Sequence, residues 1–114
     1  MSEYLDTHDL SLRATAGDAP AQFNLAVRYA DGEGVQQSWR NAAYWYARAA
    51  DQGHMQAQRE LARCLEDGEG VTQSPEDALK WYRRASEQGD AFAQCLARIV
   101  RKTGMLAGIT SGTG

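Results

Sequence analysis

The sequence predicts an all-α protein built as a repeat array, on three observations. Residues 17–52 and 53–88 align without a gap and share 18 identities in 36 positions, a self-similarity at fixed period that marks stacked supersecondary units. Within each copy, alanines, leucines and aromatics recur at helical spacing. Glycines stand where those periodic stretches must end. The whole chain of 114 residues is little more than three such periods, enough for one small domain and too short for a second core.

The elements follow in order. Residues 3–16 occupy the register of a second repeat helix, with Leu10 aligned to Tyr46 and Ala14 to Ala50, and are expected to form an N-terminal capping helix. In the first helix of each copy, helix A, Ala21, Leu25 and Tyr29, or Ala57, Leu61 and Leu65, lie at i, i+4, i+8 and give one apolar face. Gly32 and Gly68 are placed to cap these helices in the left-handed conformation. Ser38 and Ser74 suit the N-cap of the second helix, helix B, and Pro75, Glu76 and Asp77 suit its first turn. Helix B carries Ala42, Trp45, Tyr46 and Ala49, or Ala78, Trp81, Tyr82 and Ala85, and closes at Gly53 or Gly89. Of each Trp–Tyr pair, the tyrosine is the one expected to reach the surface. Residues 89–102 begin a third copy that keeps Ala93 and Gln94 and forms a helix A without its partner, for six helices in all. Residues 103–114, with four glycines and no charge, read as a flexible tail.

Composition excludes several function classes. With 12 basic residues interleaved among 15 acidic ones and a net charge of −3, no basic patch awaits nucleic acid. The longest apolar stretch, Ala42 to Ala47, is far too short for a bilayer, and the acidic first ten residues show no secretory signal, so a cytoplasmic location is expected. Cys64 and Cys95 form no metal-binding pair, and His8 and His54 have no ligand set at metal spacing, so no cofactor or metal is expected. The Asp-Gly-Glu-Gly loops offer two carboxylates each where calcium needs six to eight oxygens, and they lack the lysine and serine of a phosphate-cradling loop. No base accompanies either thiol. The chain is not expected to be an enzyme.

The order small-x-x-x-Leu-small-x-x-Tyr, Gly-x-Gly-Val, Ala-x-x-Trp-Tyr-x-x-Ala-Ala, Gly resembles the Sel-one-like repeat (SLR), a relative of the tetratricopeptide repeat. Residues 17–52 carry it in Ala21, Leu25, Ala26, Tyr29, Gly32, Gly34, Val35, Ala42, Trp45, Tyr46, Ala49, Ala50 and Gly53. Residues 53–88 depart from it at Leu65 and Ser86. The resemblance implies a right-handed α–α superhelix, residues 1–102, in which two full repeats are flanked by capping helices, and it implies an adaptor or scaffold that binds a protein or peptide. Some relatives are cysteine-rich and linked to β-lactam binding or hydrolysis. Their paired cysteines are missing here, so that activity does not transfer.

If the tetratricopeptide arrangement carries over, the helices A line the concave surface and expose Phe23, Val27 and Ala30, then Arg59, Arg63 and Glu66, then Cys95, Ile99 and Lys102, with Phe92 nearby. Apolar ends around two arginines would suit an extended or helical peptide with hydrophobic anchors and a carboxylate. The competing arrangement packs Phe23 and Val27 under the N-terminal helix, places Ile99 in the terminal core, and spends Arg59 and Arg63 on ion pairs with Glu60 or Glu66. The truncated third copy also leaves Phe92, Leu96, Ile99 and Val100 to pair with a second chain in a homodimer, or to be covered by the tail. A self-associating structural subunit is therefore the alternative to the adaptor.

Overall fold

The computed structural model describes residues 7–91 and 93–94. They form five helices, α1 (Thr7–Thr15), α2 (Ala19–Asp31), α3 (Trp39–Asp51), α4 (Met55–Asp67) and α5 (Pro75–Glu87), and no strand is present among them. Each helix packs chiefly on its neighbours in the chain: α1 on α2, α2 on α3, α3 on α4, α4 on α5. The third helix A falls largely outside the described residues.

Helix boundaries sit where the side chains dictate. Gly32 and Gly68 end α2 and α4 at φ 72° and 73°, and their N–H groups donate back to the carbonyls of Arg28 and Cys64. The chain then turns sharply, and the amides of Ser38 and Ser74 donate to Tyr29 O and Leu65 O, each at 2.8 Å. Ser38 Oγ accepts from the amide of Asn41 at 3.1 Å, and Ser74 Oγ from that of Asp77 at 3.3 Å, which satisfies a backbone donor that the first helical turn would otherwise orphan.

The core is assembled from small residues and a tyrosine. Ala26, Ala42, Ala43, Tyr46, Ala49, Ala50, Ala57, Leu61 and Cys64 form one buried cluster shared by α2, α3 and α4. Ala62, Ala78, Tyr82, Ala85 and Ala93 form the next, while Leu10, Ala14, Ala21 and Leu25 join α1 to α2. The expectation that the tyrosines reach the surface is reversed. Tyr46 and Tyr82 are 4% and 0% exposed, whereas Trp45 and Trp81 are half-buried at the rim. The alanines at i−4 and i+3 (Ala42 and Ala49, Ala78 and Ala85) open a slot along the line of the tyrosine, and Tyr82 satisfies its hydroxyl by donating to Glu66 Oε1 at 2.9 Å. The rim tryptophans are covered instead by arginine: the Arg48 and Arg84 guanidinium carbons lie 5.8 Å and 4.6 Å from the Trp45 and Trp81 ring centres, within range of cation–π attraction.

A glutamine ladder ties the repeats along one edge. Buried Gln58 donates from Nε2 to Ala50 O at 3.3 Å and accepts at Oε1 from Gln88 Nε2 at 2.8 Å, and Gln88 Nε2 also donates to Gly53 O at 3.0 Å. One period earlier Gln22 donates to Ala14 O at 3.0 Å and accepts from Gln52, which reaches Gly17 O, both at 2.9 Å. These identities are visible in the repeat, but their partners, a full helix pair away, are not. Gln58→Ala is expected to lower stability by about 1–3 kcal/mol, because it strands the buried Ala50 carbonyl that Gln58 served. Gln73→Ala, which removes an exposed bond to Glu66 O, should cost measurably less in urea denaturation.

Candidate partner-binding face

The two helices A keep their packing residues and differ on one face. Ala21, Gln22, Leu25 and Ala26 recur as Ala57, Gln58, Leu61 and Ala62, and all are buried. Phe23, Val27 and Ala30 of α2 stand in register with Arg59, Arg63 and Glu66 of α4. At i, i+4 and i+7 each trio lies on one side of its helix, so the stacked repeats set an apolar patch beside a charged one.

Phe23 is half-buried, with its ring 5.7 Å from that of Tyr46 and stacked on His54 at 4.8 Å with 23° between planes. Together with Val27 and Ala30 it packs on the cluster between α2, α3 and α4. Neither Phe23 nor Val27 joins the cluster that α1 forms with α2, so both pack at the repeat joint rather than beneath the N-terminal helix as in the competing arrangement. On α4, Arg59 Nη1 lies 3.0 Å from Asp90 Oδ2 and Arg59 Nε 3.7 Å from Glu60 Oε2, while Arg63 Nη2 lies 3.4 Å from Glu60 Oε1. The ion pairs are thus with Glu60 and Asp90, and Glu66 takes the tyrosine hydroxyl instead. Arg63 keeps 49% of its side chain exposed, and a pair that open to water is worth little, so its guanidinium remains available to a carboxylate. Phe92, Ile99 and Lys102 of the expected face, with Cys95, Leu96 and Val100, lie outside the described residues.

Burial favours the neutral forms of Cys64, Tyr46, Tyr82 and His54. Burial, reinforced by the Glu60 carboxylate, pushes the Cys64 thiol up to about 12, so it is not a ready nucleophile at neutral pH. Burial also raises the Tyr46 hydroxyl, and for Tyr82 the bond to Glu66 adds to it. Burial lowers the His54 imidazole below its usual range. An open groove of about 590 Å3 lies between residues 35–38 and the start of α3, with Tyr29 and Asn41 in its walls, and one of about 330 Å3 runs along the glutamine ladder. Among the described residues no cluster of three metal-ligating side chains occurs, and no helix is long and apolar enough to cross a membrane. Sequence reasoning missed two members of the joint, His54 and Asp90. Their register, one period apart, marks the two positions as equivalent without showing what either contacts.

Comparison with known proteins agrees with this geometry. The Sel1 repeat family matches residues 19–54 and 56–90. The structure of a Sel1 repeat protein from Oxalobacter formigenes superposes with a TM-score of 0.83 at 34% identity, over 86% of this chain and 40% of that one. A protective antigen of uropathogenic Escherichia coli strains that displays an SLR fold matches with a TM-score of 0.73 at 39% identity, over 75% of this chain and 18% of its own. Cysteine-rich protein B of Helicobacter pylori, at 22% identity and a TM-score of 0.75 over 79% of this chain and 68% of its own, shares the fold. The chain thus spans less than half the length of the first two structures, and the curated proteins contain no sequence match to it. The two matched repeats, the all-helical architecture and the similarity to solved SLR structures make this chain a member of the Sel1 repeat family.

Proposed function

We propose that the chain is a non-catalytic adaptor that binds a protein or peptide on the helix A face through Phe23, Val27, Arg59 and Arg63, with Phe92, Ile99 and Lys102 continuing that face. Sel1 repeats are in general protein-interaction modules. The observation that carries the reading is the pattern of change between the two helices A: buried Ala21, Gln22, Leu25 and Ala26 recur as Ala57, Gln58, Leu61 and Ala62, and the partly exposed Phe23, Val27 and Ala30 beside them do not recur. Of these positions in the two helices Arg63, with 49% of its side chain exposed, is the freest to contact a partner. The half-buried apolar patch offers seats for hydrophobic anchors, and the exposed Arg63 offers a fork for a carboxylate.

Peptides selected from a random display library against the chain are expected to combine apolar anchors with an aspartate or glutamate. Arg63→Glu should weaken their binding about tenfold, the equivalent of 1.4 kcal/mol, with the helical circular dichroism unchanged. Arg83→Glu on the exposed side of α5 should leave affinity intact. Equal binding by wild type and Arg63→Glu would remove the helix A face from the account.

A further inference from the structure

Besides the glutamine ladder, a pair of positions 31 residues apart joins successive repeats, and the two joints use different chemistry. At the second joint Arg59 Nη1 donates to Asp90 Oδ2 at 3.0 Å, and Asp90 Oδ1 accepts from the amide of Ala93 at 3.0 Å. One buried carboxylate thus caps the helical residues that follow it and holds the arginine of the preceding repeat. At the first joint the register puts Phe23 in the place of Arg59 and His54 in the place of Asp90. The two rings stack at 4.8 Å, and His54 Nδ1 accepts from the amide of Ala57 at 3.1 Å, capping α4.

An imidazole nitrogen that accepts an amide hydrogen carries no proton, so the His54 proton sits on Nε2. A carboxylate cap survives mild acid, whereas an imidazolium has no acceptor left. We propose that His54 makes the first joint a proton-sensitive switch: neutral, it caps α4 and seats Phe23 on the helix A face; protonated, it loses the cap and releases that seat. Protonation would also set a positive charge at the positive end of the α4 dipole, where it is disfavoured. The ring stacks on Phe23 of α2, behind which stands the Tyr46 ring of α3. Burial is the cause that holds the imidazole below its ordinary value of 6.5. The sign follows: the unfolded chain binds the proton more readily, so the stability supplied by neutral His54 is complete above pH 6.5 and is lost as the pH falls below it. That the switch regulates partner binding rests on the function proposed above; the switch itself does not, and every measurement below is made on the chain alone.

The test is a pH titration by NMR of wild type, His54→Asn and Phe23→Leu, with melting curves alongside. Asparagine keeps a side-chain oxygen at the cap and does not titrate. His54 is expected to titrate below 6.5, with the Ala57 amide losing protection in the same range. Between pH 8 and pH 5 the wild type should lose about 5 °C more in Tm than His54→Asn, the size expected for one cap in a domain this small. Phe23→Leu should move the His54 titration back up. A histidine that titrates at or above its ordinary value, or parallel melting curves for wild type and His54→Asn, would overturn the switch, and an unmoved titration in Phe23→Leu would overturn its coupling to the face.

Discussion

The Gly70→Ala protein is expected to be destabilised by about 3 kcal/mol, a large fraction of the stability of a small domain. Two costs combine there. Gly70 has φ +77°, and an L-residue in that region loses about 1–2 kcal/mol. A Cβ at this position would also meet the carbonyl of Trp39 and the amide nitrogen of Arg40, backbone of the preceding repeat that cannot swing aside, and such overpacking typically costs about 1–3 kcal/mol more. Gly53 separates the two effects. It has φ +93°, and a methyl group added there would meet nothing within 4 Å, so Gly53→Ala should show the conformational cost alone. Urea denaturation of the two variants side by side is the measurement. Equal losses would mean that the loop of one repeat does not lean on helix α3 of the previous one.

The Tyr82→Ala protein is expected to lose about 4 kcal/mol, the usual range for deleting a buried aromatic. Tyr82 is fully buried among Ala62, Ala78, Ala85 and Ala93, and alanines have no longer side chain with which to fill the hole. Tyr82→Phe keeps the ring and loses the bond to the Glu66 carboxylate, which should cost about 1.5 kcal/mol. Trp81→Ala removes a larger side chain yet should cost less than Tyr82→Ala, because Trp81 lies half-buried at the rim beneath Arg84. Thermal melts of the three proteins give the order. A tryptophan deletion that costs more than the tyrosine deletion would contradict the packing described here.

The same pair shows where sequence reasoning stops. The 36-residue period, the serine N-caps, the glycine ends of the helices A and the alanine and leucine faces were all legible, because each depends on residues within one or two turns. Adjacent Trp and Tyr differ by about 100° around a helix, and the choice between them depends on the size of the slot presented by alanines three and four residues away. Gln22 and Gln58 were visible as identities without a role, since a buried amide explains itself only when its partners, 8 and 30 residues distant, are in place. For the candidate face, the positions on α2 and α4 and the ionic ties of Arg63 to Glu60 were within reach, being local. Asp90 as the partner of Arg59, and His54 as the partner of Phe23, were not, because each contact spans 31 residues.

For the function proposed above these joints matter because they set which side chains of successive repeats stand side by side. Here that is Phe23 and Val27 on α2 next to Arg59 and Arg63 on α4, with packing residues beneath them held by the two buried tyrosines and the glutamine ladder. The most direct test of the account is amide chemical-shift mapping of the chain during titration with a display-selected peptide. The largest shifts are expected to cluster at residues 23, 27, 59 and 63 and to saturate together. Shifts centred instead on the helix B side, at Tyr44, Arg48 and Arg83, would contradict it.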